Sequence, residues 1–157
     1  MARRARLAGE HLLTQARERA LTLLYEAEVK GISPHEVLQN QIVDPEPLTT
    51  LLVAGVADDG ELIDGLISAN SRGWTIERMP ALDRAVLRLS ITELRKRPEV
   101  PVAVIIDEAV SLAKRFSTDD SGRFVNGMLS TIARGLRPKG ASAGPQDSTD
   151  DGCARLD

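Results

Sequence analysis

Leu82-Asp83-Arg84-Ala85-Val86-Leu87-Arg88-Leu89-Ser90-Ile91-Thr92-Glu93-Leu94 is apolar at seven of its thirteen positions. Leu82, Ala85, Val86, Leu87, Leu89, Ile91 and Leu94 occupy most of a helical circumference and leave little polar face. A helix of that kind must be covered by neighbours on several sides. Residues 81–96 therefore read as the central helix of a helical core.

The flanks read as helices too. Upstream, Ala16, Ala20, Leu23, Leu24 and Ala27 recur at helical spacing, which predicts a helix from Thr14 to Lys30, stopped by Gly31. Ser33-Pro34-His35-Glu36 has a capping residue, a proline for the first helical position and an acidic residue three places on, so a short second helix is expected through about Ile42. Asp44-Pro45-Glu46 repeats the start signal. Leu48, Leu51, Leu52, Val56, Leu62, Ile63, Leu66 and Ile67 predict one third helix that ends near Asn70-Ser71-Arg72-Gly73, with Gly55, Gly60 and Gly65 inside it. Trp74-Thr75-Ile76 opens a short helical turn cut by Pro80. Downstream, Val102 to Ile106 has strand propensity, yet Val102, Ile105, Ile106, Ala109, Leu112, Ala113 and Phe116 keep helical spacing, and helix is the reading taken. A turn over Ser117–Gly122 and a last helix from about Arg123 to Arg134 complete an all-α scheme of about seven helices.

This divides the chain into a flexible basic segment (1–13), a helical domain (14–137) with a seam near Gly73, and a tail (138–157). The domain halves are about 14–73 and 74–137. The tail is rich in Gly, Ser, Asp and Pro and is expected to be disordered.

Composition narrows the function classes. The 157 residues are 42% hydrophobic but only 3% aromatic, which favours helices over a sandwich or barrel. Net charge is −3, so any nucleic-acid binding must come from a local patch. Arg3, Arg4, Arg6, Arg17 and Arg19 face only Glu10 and Glu18 within the first nineteen residues. Arginine outnumbers lysine sixteen to four, the mark of a high-GC genome or of an arginine-selected binding face. The lone Cys153 excludes a disulfide framework or cysteine zinc site and reads as a surface thiol. There is no apolar run long enough for a membrane span and no h-region of a secretory signal, so a cytoplasmic protein is expected. No phosphate loop or serine elbow is present. Asp107 and Glu108 point about 100° apart on a helix and are no catalytic pair, and His11 and His35 have no acidic or thiol partner at useful spacing.

The chemistry concentrates in Asp120-Ser121-Gly122-Arg123-Phe124-Val125-Asn126-Gly127-Met128-Leu129. A helix start there would offer a ring, a cation and backbone N–H groups, which suits single-stranded nucleic acid. Four blocks then carry a family pattern: Arg17 to Tyr25, Asp83 to Leu89 with Glu93-Leu94, Glu108-Ala109-Val110 with Leu112-Ala113-Lys114 and Phe116, and Asp120-Ser121 with Phe124 to Leu129. In that order, over about residues 14 to 137, they resemble the NusB transcription antitermination factors.

The resemblance implies two small helical bundles packed together, no catalysis and no cofactor. It implies binding to the boxA element of ribosomal RNA leader transcripts together with NusE, the small-subunit ribosomal protein of the S-ten family. The complex would join RNA polymerase and suppress premature termination. Some family members form homodimers that bury the RNA surface.

Carried over by position, the family's arginine-rich RNA segment falls on Arg17, with Arg19 beside it; a solvated helix face is the plain alternative. Where a typical member is dense in arginine just before this point, the chain has Leu12-Leu13-Thr14-Gln15, and its extra arginines are Arg3, Arg4 and Arg6. Tyr25 reads equally as an RNA contact or a buried ring. Phe124, beside Arg123, is the best stacking candidate, though a phenylalanine at that spacing is often core. Lys114 and Arg115 supply phosphate contacts or solvate a helix end. Asp120 would repel phosphate, is expected to cap the last helix, and matches a family position that tunes RNA binding.

Two other readings stay open. A protein-interaction module with weak RNA affinity would present a partner face around residues 75–97. The same helical domain also precedes the catalytic domain of certain RNA cytosine methyltransferases, of which this chain would be only the RNA-binding part.

Overall fold

The structure, a computed structural model, describes residues 1–138; the expected disordered tail lies outside the described residues except for Pro138. The elements are α1 (Ala2–Lys30), α2 (Pro34–Gln39), α3 (Pro47–Asp58), α4 (Gly60–Asn70), a 3-10 turn (Ile76–Arg78), α5 (Ala81–Lys96), α6 (Val102–Phe116) and α7 (Asp119–Leu136). There is no strand among the described residues.

The helices form two small bundles packed together through α5. It lies against α1, α3 and α4 on one side and α6 and α7 on the other, and α4 also reaches α7. Ala85, Val86, Leu87, Leu89, Ile91 and Leu94 are buried, as the crowded apolar circumference requires. Ile105, Ala109, Leu112 and Ala113 are buried on one face of α6. Helical spacing therefore prevails over the strand propensity of Val102–Ile106, because that face packs against α5 and α7.

Local signals explain the other boundaries. Gly31 adopts φ +65°, and its N–H bonds back to the carbonyls of Ala27 and Glu28, closing α1. The Ser33 hydroxyl accepts from the Glu36 N–H at 3.1 Å and starts α2, which stops at Gln39 rather than continuing to Ile42.

The single third helix expected from Leu48 to Ile67 is two. Asp59 breaks it within Asp58-Asp59-Gly60, a run of weak helix formers. Hydrogen bonds from Arg95 (3.0 Å) and Lys96 (3.3 Å) on α5 fix the break and hold the Asp59 carboxyl below its ordinary range.

Residues 1–13, expected to be a flexible basic segment, are helical from Ala2, so α1 begins twelve residues before Thr14. Ala2-Arg3-Arg4-Ala5-Arg6-Leu7-Ala8 is made of strong helix formers, and the turn-by-turn bonding of α1 simply continues through them. Residues 1–13 are all exposed, so this part of α1 is a solvent-facing arm.

The last helix also starts earlier than Arg123. Thr118 is its cap, its hydroxyl accepting from the Ser121 N–H at 3.0 Å, and Asp119 and Asp120 fill the first turn where carboxylates favour the helix dipole. Asp120 is therefore not the cap.

Gly55 is where α3 comes closest to α5: a Cβ there would overlap the Thr92 methyl, and Thr92 is fully buried. Gly55→Ala is expected to destabilise the fold by about 1–3 kcal/mol. Pairing it with Thr92→Ser, which removes that methyl, should recover most of the loss in urea unfolding.

Candidate nucleic-acid interface

Arg17, the position on which the family's arginine-rich RNA segment falls, is buried. Arg17 is 3% exposed and Glu93 1%. The Arg17 Nε donates to both Glu93 oxygens (3.2 and 2.9 Å) and its Nη2 to Glu93 Oε1 at 2.5 Å. Glu108 on α6 lies 3.8 Å from Arg17 Nη1, and Arg97 adds a 3.1 Å bond to Glu93. Burial alone would lower the Arg17 guanidinium, but the hydrogen bonds and charge of Glu93, with Glu108 adding, hold it above its ordinary range. Arg17 is thus a joint between α1, α5 and α6 and is not available to a phosphate. The sequence does not show this because its partner, Glu93, lies 76 residues away.

The remaining candidates are at the surface. Tyr25 is 41% exposed, which removes the buried-ring alternative. Arg19 is exposed and donates to Gln41 at 2.7 Å. Arg115 is half engaged: it pairs with Glu18 at 3.2 Å and sits over the Phe116 ring at 5.2 Å. Lys114 runs its stem across Gly122, where a Cβ would lie 2.7 Å from Lys114 Cγ. The glycine thereby lets α6 deliver a lysine to the start of α7. Arg123 and Asp120 are both solvent-facing and 3.2 Å apart. Phe124 is half-buried against the core and meets Trp74 at 5.7 Å between ring centroids, tilted by 54°. Arg3, Arg4 and Arg6 are exposed on the arm; from Arg4 to Glu18 the helix rises about 20 Å.

Polar contacts draw several elements to one end of the molecule. Arg84 at the start of α5 donates to Glu28 on α1 and to the carbonyls of Ile76 and Met79 around the 3-10 turn. Its buried neighbour Asp83 accepts from the Ser121 hydroxyl of α7 at 3.0 Å. The C-terminal half of α1, the turn after Trp74 and the α7 start are therefore held together. Phe124, Arg123, Asp120 and Lys114 gather at this α7 start, whereas the arm arginines stand apart.

Trp74 and Arg72 were not singled out from the sequence, although a lone tryptophan following a glycine in a turn is a usable signal. The expected partner face over residues 75–97 is largely unavailable, because α5 is spent on the core. Exposed apolar side chains lie elsewhere, among them Leu7, Leu12 and Leu13 on the arm and Ile42, Val43, Leu51 and Val104. His35 does have an acidic partner: its Nε2 lies 2.6 Å from Asp58 Oδ1, at the surface between α2 and α3. Among the described residues no three His, Cys, Asp or Glu side chains gather as a metal-binding group, and no helix is long and apolar enough to cross a membrane.

Arg17→Met should cost about 3 kcal/mol or more in chemical denaturation, because Glu93 would be left buried with only the partly exposed Arg97. Arg19→Ala, on an exposed arginine, should change stability by less than about 0.5 kcal/mol.

The sequence profile of the NusB family matches residues 14–134. The fold is similar to NusB of T. maritima, with a TM-score of 0.70 and 32% identity over 77% of this chain and 89% of that one. It is similar to a chain in a crystal structure of a plectonemic RNA supercoil, with a TM-score of 0.69, 27% identity and coverage of 80% and 96%. A crystal structure of antitermination factors NusB and NusE in complex with dsRNA matches with a TM-score of 0.67, 26% identity and coverage of 78% and 96%. With that match over most of its helical length, the chain belongs to the NusB family.

Proposed function

We propose that this protein is an RNA-binding transcription antitermination factor. It takes boxA-type RNA of ribosomal RNA leader transcripts together with NusE and acts on RNA polymerase to suppress premature termination. The observation that carries this reading is the ring-and-cation group at the α7 start: Phe124 half-open, Arg123 and Lys114 beside it, on a fold like that of NusB in complex with NusE and dsRNA. A half-open ring takes a base and the neighbouring cations take phosphates. Arg115, next to Lys114 on α6, extends the surface, and Tyr25 and Arg19 are further exposed candidates on α1. The arm brings Arg3, Arg4 and Arg6, so a chain with net charge −3 still presents local positive surface. The role of the protein is binding rather than catalysis.

A second occupant of the arm is favoured by a specific observation. Leu12 is 60% exposed, and Leu7 and Leu13 are exposed with it. Three leucines among arginines suit a protein partner, either NusE or a second copy of the chain. In the second-copy case the dimer masks part of the RNA surface, and Leu12→Ser with Leu13→Ser would shift the protein to monomer in sedimentation.

Fluorescence anisotropy with a short boxA-type RNA, with and without NusE, at two salt concentrations tests the main reading. Binding should tighten with NusE and weaken with salt, and each arm arginine that contacts phosphate, changed to Gln, should flatten the salt slope by roughly 0.7. RNA affinity that is absent even with NusE would refute the proposal. Asp120→Asn removes an exposed carboxylate 3.2 Å from Arg123 and is expected to strengthen RNA binding with stability nearly unchanged; equal affinity would remove Asp120 from the interface.

A further inference from the structure

A groove of about 460 Å³ opens beside the α7 start, between the end of α4 and α7. It is a shallow, open depression rather than an enclosed cavity. Arg72, Trp74, Arg123, Phe124 and Gly127 line it. Trp74 is 50% exposed although its ring already contacts Phe124, so one side of the indole is committed and another is open. The turn that carries it is fixed. Gly73 adopts φ +74°, a conformation other residues avoid, and the Ser71 hydroxyl donates to the Trp74 carbonyl at 2.7 Å. Asn70 at the end of α4 is held by its own bond to the Leu66 carbonyl at 2.8 Å. Arg72 is exposed and has no ion pair among the described residues, while Arg123 has only the exposed Asp120.

We infer that Trp74 and Arg72 form a second nucleotide position, in which a base of single-stranded RNA stacks on the open side of the indole and Arg72 holds the adjoining phosphate. This rests on the RNA-binding reading and extends it from the α7 start across the groove. The direct contact between the two rings decides the geometry. At 5.7 Å and 54° they leave no slot for a base between them, so the strand passes over the pair, one base against each ring. Positive charge on both banks of the groove favours a polyanion over an apolar partner helix. Any single-stranded base can use such a platform, because every base has a π-face.

Gly127 supplies a test that spares the fold. A Cβ there meets nothing within 4 Å, so Gly127→Leu grows into the groove and also favours the helix. A fluorescein-labelled single-stranded boxA-type RNA is titrated into the full chain with NusE, in wild type and in Gly127→Leu, Trp74→Ala, Trp74→Phe and Arg72→Gln. Circular dichroism checks each fold. Gly127→Leu and Trp74→Ala should weaken binding roughly tenfold, and Trp74→Phe by much less. Arg72→Gln should flatten the salt slope by roughly 0.7. Trp74 is the only tryptophan of the chain, so its emission, isolated as the difference from Trp74→Phe, should fall over the same RNA concentrations. RNA that binds wild type, Gly127→Leu and Trp74→Ala equally overturns this inference and leaves the α7-start reading intact. Loss of NusE affinity with RNA affinity unchanged overturns it in favour of a protein contact. No RNA binding by the wild type, with or without NusE, overturns both.

Discussion

The buried pair of Arg17 and Glu93 is the constraint on which the arrangement depends. Two charges taken from water are costly unless each hydrogen-bonding group is satisfied. Here the guanidinium reaches both carboxylate oxygens, with Arg97 and Glu108 completing the cluster. A helix that slid or turned by one residue would strand a charge in the core. The pair therefore sets the register of α1 against α5, while the apolar contacts around it supply most of the driving force. Thr49 repeats the device in neutral form, its hydroxyl donating to the Ala16 carbonyl at 2.8 Å and fixing α3 to α1.

That register determines which residues of α1 are free. With Arg17 turned inward, Tyr25 and Arg19 remain outside and the arm carries its arginines clear of the core. The other end is organised by Arg84 and Asp83, neighbours on α5 that face different elements: one clamps Glu28 and the 3-10 turn, the other the start of α7. The central helix is thus almost absent from the surface and yet places nearly everything found there.

Much of this was legible in the sequence. The α5 boundaries follow from its apolar circumference, and α6 from a spacing that outlasts its β-branched start, because periodicity reports burial and burial decides secondary structure. The misreadings share a cause. Arg17 looked like a surface arginine because charge type is visible in a sequence and a partner 76 residues away is not. The Asp59 break needed Arg95 and Lys96 from another helix. The early start of α7 was legible in Thr118-Asp119-Asp120, a cap followed by acidic residues, but the Gly122 that seemed to end a turn is there to admit Lys114. For the candidate site, Phe124, Arg123, Asp120 and Lys114 were named from local chemistry, and the structure brings them together at the α7 start. Trp74 was not, since only the chain's return along α7 brings it to Phe124.

The unbroken course of α1 has a geometric outcome. A 29-residue rod is anchored at its middle by the ion-pair cluster, and the arginines ride on its exposed N-terminal half. A limp tail would sample a volume around its tether and give up that freedom on capture. A clamped rod moves only by bending, so its cations trace a shallow arc at a set distance from the core. The charges then sit at set distances from the Phe124 end, as marks on a ruler do, rather than sampling many.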